Sequence, residues 1–180
     1  DDILGSLLVH CAAVGVPTSF IVGLDPEAGL LRGDRVSTSA EAAGIDRLLG
    51  ISDAQFAISV DDRYNAIARA CREARIVNAP TVHELVQPAH DWNEAILVER
   101  VAGGGRSTVA PIVVNGDVVG ALVAGPRVEE LGPAEIELIA ALVASVGDRL
   151  GAAWRAATLG APAVDMRIEA LQAVRAEGVA

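Results

Sequence analysis

The strongest constraint on the fold is a strand–turn–strand–helix run in the second half of the chain. Ser107–Val114 and Asp117–Ala124 are both dense in β-branched and apolar residues, and Asn115-Gly116 alone separates them. That dipeptide accepts the positive φ angles of a type I′ turn, whose twist matches that of paired strands. The run therefore predicts an antiparallel hairpin. Gly132-Pro133 then predicts the start of a long helix, with proline in its first turn. Ile136, Ile139, Val143, Val146, Leu150, Trp154 and Ala157 alternate at spacings of three and four, close to a heptad seam. Such a seam is expected to face the sheet and, towards Trp154, to continue past the sheet edge to a partner subunit.

The rest of the chain fits around that unit. Ile3, Leu4, Leu7, Leu8, Cys11 and Val14 form one helical stripe, which Val16-Pro17 stops. Thr18–Leu24 and Leu30–Val36 read as strands joined by the turn residues Asp25-Pro26-Glu27-Ala28-Gly29. Thr38-Ser39-Ala40-Glu41 fits a capping box for a short helix ending at Gly50. Gln55–Val60 reads as a strand, and Asp61 or Asp62 as the cap of a helix running to about Ala74. Arg75–Ala79 is a short strand closed by Pro80, and residues 81–92 are irregular with a helical turn at Val82–Val86. Glu94–Ala102 is helical and is broken by Gly103-Gly104-Gly105. Beyond Gly160-Ala161-Pro162, Val164–Ala176 forms a last amphipathic stretch. Neighbouring strands mostly join as hairpins, so the fold class is α+β: an antiparallel sheet of five or six strands with helices packed on it.

Composition narrows the function. A chain of 180 residues that is 52% hydrophobic and 21% charged is expected to form one domain with its own core. The net charge is −10, and all 14 basic residues are arginine. That balance opposes both a nucleic-acid footprint and a polybasic membrane contact. No apolar run is long enough to span a bilayer. Two cysteines, Cys11 and Cys71, make no disulfide framework and point to a reducing, cytoplasmic setting. The chain opens on Asp1 with no signal-peptide pattern, so it is expected to come from a longer protein.

Three stretches together resemble a GAF domain, a small sensory fold of bacterial signalling proteins. They are "STVAPIVVNGDVVGALVAGPRVEELGPAEIELIAALVASVGDRLGAAW", "LLGISDAQFAISVDDRYNAIARACREARIVNAP" and "ILGSLLVHCAAVGVPTSFIVGLDPEAGLL". The resemblance implies a sensory domain over residues 1–158, followed by a linker and amphipathic helix at 159–180 leading to an effector domain. It implies terminal helices on one sheet face, where they often build a dimer, with Leu4, Leu8, Ile139, Val143, Val146, Leu150 and Trp154 at the interface. It places a small-molecule pocket on the opposite face, under short helices and loops.

The residues that offer ligand chemistry concentrate between His83 and Asn93. His83, His90, Asp91, Trp92 and Asn93 supply imidazole, carboxylate, indole and amide groups that orient a small ligand. Tyr64, Arg69 and Arg72 are secondary candidates, arginine being suited to a carboxylate or phosphate. No pair among His10, Cys11, Cys71, His83 and His90 has zinc-finger spacing, so no metal site is expected and no cofactor is identified. Cys71 is followed by Arg72 rather than by the histidine common beside a tetrapyrrole-bearing cysteine, and the lack of lysine breaks the cyclic-nucleotide signature of other GAF domains. Gly103-Gly104-Gly105-Arg106-Ser107 precedes a strand, not a helix, and is no phosphate loop. No catalytic constellation emerges.

The expectation is a non-enzymatic, ligand-sensing module of a multi-domain histidine kinase, homodimeric, with a covalently linked effector and an unidentified small-molecule ligand. The competing readings are a ligand-free dimerisation module, an enzyme redox-active through Cys71, and the effector-binding part of a transcription regulator.

Overall fold

A computed structural model describes residues 2–51 and 56–159. The predicted C-terminal stretch Val164–Ala176 and the 159–180 linker fall outside these residues apart from Leu159, as does Gln55, the predicted start of the third strand. The elements are α1 (Ile3–Ala13), β1 (Ser19–Asp25), β2 (Leu30–Val36), α2 (Ala40–Leu49), β3 (Ala57–Ser59), α3 (Ala66–Glu73), β4 (Val77–Ala79), α4 (His83–Val86), α5 (Trp92–Ala102), β5 (Arg106–Val114), β6 (Asp117–Arg127) and α6 (Pro133–Leu159).

Six strands form one sheet in the order β3-β2-β1-β6-β5-β4, and every neighbouring pair is antiparallel. The α+β class and the strand number agree with the sequence expectation. β1 and β6 lie at the centre and are covered on both faces, which explains their near-continuous apolar runs. Their side chains alternate between two cores. Phe20, Val22, Ala121 and Val123 point into one, with residues of α2, α3, α4 and α5. Ile21, Leu122 and Ala124 point into the other, with α1 and α6. The molecule is thus a three-layer sandwich, with both terminal helices on one side.

Local chemistry sets the element ends. Asn115 and Gly116 both take positive φ, 52° and 92°, as the hairpin requires. Gly50 closes α2 in the left-handed conformation. The α2 cap is Ser39 rather than Thr38, because it is the Ser39 hydroxyl that accepts the Ala42 N–H. The expected cap of α3 is also corrected. Asp62 shapes the preceding turn by accepting the N–H groups of Tyr64 and Asn65. The N-cap of α3 is Asn65.

β5 carries a proline inside the sheet. The β4–β5 ladder covers Val109 to Ser107 and stops two residues short of Pro111. A missing N–H is tolerated there because that side of β5 has no strand partner.

Candidate functional site

The predicted ligand segment lies on the expected face, carried by α4 and α5. Asn65 anchors it. This side chain is fully buried. Its Oδ1 accepts the N–H groups of Ile67 and Ala68, and its Nδ2 donates to the carbonyls of Leu85 and Gln87 at 2.7 and 2.8 Å. One amide therefore starts α3 and ties down the end of α4, with all its hydrogen-bonding capacity used. Sequence reasoning missed it. The available signal was an Asx residue directly before the apolar pattern of α3.

α5 is fixed by a capping box. The Asp91 carboxylate accepts the Glu94 N–H at 2.9 Å, and Glu94 Oε2 accepts the Asp91 N–H at 3.0 Å. Glu94 Oε2 also lies 3.1 Å from His90 Nδ1. The His90 ring stacks on Phe56, with centroids 5.9 Å apart. Asp91 and His90 are thus held in place by local structure, through Asp91 Oδ1 and His90 Nδ1.

His83 differs. Its ring meets Trp92 edge-to-face at 4.6 Å, while Nδ1 is buried with no hydrogen-bond partner among the described residues. Such a group usually has a missing partner. Trp92 itself is 55% exposed, at the mouth of this contact. Beside it, Glu99 accepts the Val82 N–H at 2.9 Å and so holds the start of α4. Beneath these groups the layer is filled by Phe56, Leu85, Val86, Ala95 and Val98, all buried. The chemistry on offer is one hydrogen bond from an imidazole nitrogen and contact with an indole ring.

The remaining candidates separate. Asn93 and Tyr64 are exposed. Arg72 donates to the carbonyls of Val60 and Asp62 and acts as a structural brace. Arg69 lies elsewhere, in a cleft of about 480 Å³ at the β4 edge, with Arg75, Ile76, Val77, Asn78 and Ile136.

The residues expected at a dimer interface divide by burial. Leu4 and Leu8 of α1 and Ile139, Val143 and Val146 of α6 are buried in the chain's own core. They pack on the sheet and have little surface left for a partner. Leu150 and Trp154 are half-buried. Near its end α6 is tied to the β5–β6 turn, where Arg155 donates to Asn115 Oδ1 at 2.7 Å.

Both cysteines are buried. Burial pushes the Cys11 thiol up to about 11, a shift that the Ser19 side chain partly opposes. It pushes the Cys71 thiol up to about 12, against a smaller opposing effect of Arg72. Cys71 points to the Gly120 carbonyl. A neutral, enclosed thiol is a poor nucleophile, so the site gives no support to a redox role for Cys71. Among the described residues no group of three or more His, Cys, Asp or Glu side chains is placed to hold a metal ion. No helix among them is long and apolar enough to cross a membrane.

No family model and no curated protein matches the sequence. Solved structures do match. A GAF domain/HD domain protein from Geobacter sulfurreducens superimposes with a TM-score of 0.59 at 13% identity, over 81% of this chain and 87% of that one. The second GAF domain of DevS from Mycobacterium smegmatis gives 0.57 at 19% identity, over 88% and 96%. Residues 122 to 287 of a methyl-accepting chemotaxis protein give 0.57 at 16%, over 82% and 87%. The chain therefore has the GAF-like fold, as the sequence resemblance implied.

Proposed function

We propose that this chain is a regulatory GAF domain that senses a small molecule at the α4–α5 face and signals through its terminal helices. The carrying observation is His83, whose buried Nδ1 has no partner beside the exposed Trp92. Support comes from the fold it shares with a GAF domain/HD domain protein and part of a chemotaxis protein. In this reading the domain is bacterial, cytoplasmic and non-enzymatic, and serves a histidine kinase as its effector. Ligand binding acts by differential affinity for two packings of α6. The domain dimerises through the outward faces of α1 and α6, where Val9 is 64% and Leu138 42% exposed.

The test is a thermal-shift screen of polar metabolites, followed by the hits on His83→Phe and Trp92→Leu. The expected result is a compound that raises the melting temperature of the wild type and of neither variant. A screen without hits, or hits that both variants retain, overturns the site. A ligand-free dimerisation module is the second reading, favoured by the dense apolar filling under α4 and α5; it predicts a dimer and an empty screen.

A further inference from the structure

The cleft at the β4 edge is a separate place from the α4–α5 face, and it gathers groups that suit an anion. We infer that it binds a small oxyanion, a carboxylate or phosphate, carried on an apolar body. The reading does not depend on a ligand at His83.

The cleft, about 480 Å³, is open to solvent where the layer of α3 meets the first turns of α6 across the end of the sheet. That volume is in the range of small-molecule sites, about 300–1,000 Å³. Two arginines line it. Arg69, in the middle of α3, spends one donor on a long 3.5 Å contact with the Asn78 carbonyl. Arg75 pairs with Glu73, but its side chain is 65% exposed, so the pair is solvated and readily exchanged for a competing anion. Asn78 is oriented by Thr108, whose hydroxyl donates to Asn78 Oδ1 at 3.0 Å and leaves the amide nitrogen as a donor. The other walls are Ile76, Val77 and Ile136. A guanidinium offers paired N–H groups that match the two oxygens of a carboxylate or phosphate. The aliphatic walls take an apolar substituent. In a chain of net charge −10, two arginines on one cleft, only one of them paired with a carboxylate among the described residues, concentrate positive charge locally. Because Ile136 belongs to α6, the ligand also touches the helix through which the domain would signal.

The experiment is a ¹H–¹⁵N NMR titration of the whole chain with 4-methylpentanoate and with phenyl phosphate. The neutral controls are 4-methylpentanamide and phenol. The expected result is saturable shifts at Arg69, Arg75, Asn78 and Ile136 with at least one acid, and none with its neutral counterpart. The preferred acid names the head group. Arg69→Gln/Arg75→Gln weakens binding at least tenfold. Ile136→Glu, which sets a carboxylate into the cleft, does the same while leaving both arginines in place; a dispersed spectrum shows that each variant is folded. Absence of saturable shifts with both acids, equal shifts with the neutral compounds, or binding unchanged in a folded variant overturns the proposal.

Discussion

Asn65 shows how much one side chain settles at the residue scale. It caps α3 and holds two carbonyls from the α4 region, all inside the core. Asn65→Ala removes a cap and strands two buried carbonyls, and is expected to lower unfolding free energy by about 3 kcal/mol in urea titrations. Asn65→Asp keeps the cap acceptor but turns a buried carboxylate towards those carbonyls. Its folded pKa is then raised above the unfolded value, so the deficit is smallest in acid and grows as pH rises through the folded pKa. The cysteines give a second pH effect. Cys11 and Cys71 rise from 9.0 to about 11 and about 12 on folding. A group raised by folding stabilises fully below its unfolded pKa, so this contribution is lost as pH climbs from about 9 towards 12. Urea midpoints between pH 8 and 10.5 should fall less steeply in Cys71→Ala than in the wild type. An equal slope would show that the thiol is not shielded.

At the scale of elements, the docking of α6 depends on one glycine. A Cβ on Gly147 would overlap the Val113 carbonyl of β5, so the helix comes closer there than any side chain permits. Gly147→Ala must push α6 off the sheet. The expected cost is about 1–3 kcal/mol of stability, despite alanine's better helix propensity. Gly44→Ala is the control in another helix, because a Cβ there meets only ordinary contact with Val101; it should be neutral or slightly stabilising. Strand and helix existence was legible because the apolar periods are long and the punctuation strong, as at Asn115-Gly116 and Gly50. The caps of α2 and α3 were displaced by one and by three or four residues. Several Ser, Thr, Asp and Asn residues stand in each turn, and only the path of the chain selects which oxygen reaches the free N–H groups.

For the whole molecule, the two cores decide what each face can do. The α1–α6 side buries most of the residues expected at an interface, since the stripe that fits a sheet is the same stripe that fits a partner helix. The proposed dimer must therefore use the outward faces, with Val9 and Leu138 as their large apolar residues. Analytical ultracentrifugation should find a dimer for the wild type and a monomer for Val9→Asp/Leu138→Asp. A wild-type monomer at 100 µM, on the order of a weak association, would remove the interface.

The candidate site was legible only in outline. The polar run from His83 to Asn93 does sit over the predicted face. Which of its groups are occupied was decided by contacts distant in sequence. Phe56 takes one face of His90, and Glu94 serves both the α5 cap and the His90 nitrogen. Arg69 was read beside the histidines but lies with Arg75 at the sheet edge, because the turn after Ala74 brings β4 back along α3. The sequence by itself determined most of the elements, the antiparallel sense of the sheet and the fold class, since periodicity and turn chemistry act over a few neighbouring residues. Only the tertiary structure decided which apolar stripe is core, which cap is used and which polar side chain is left without a partner. Those outcomes depend on what the chain places opposite each residue.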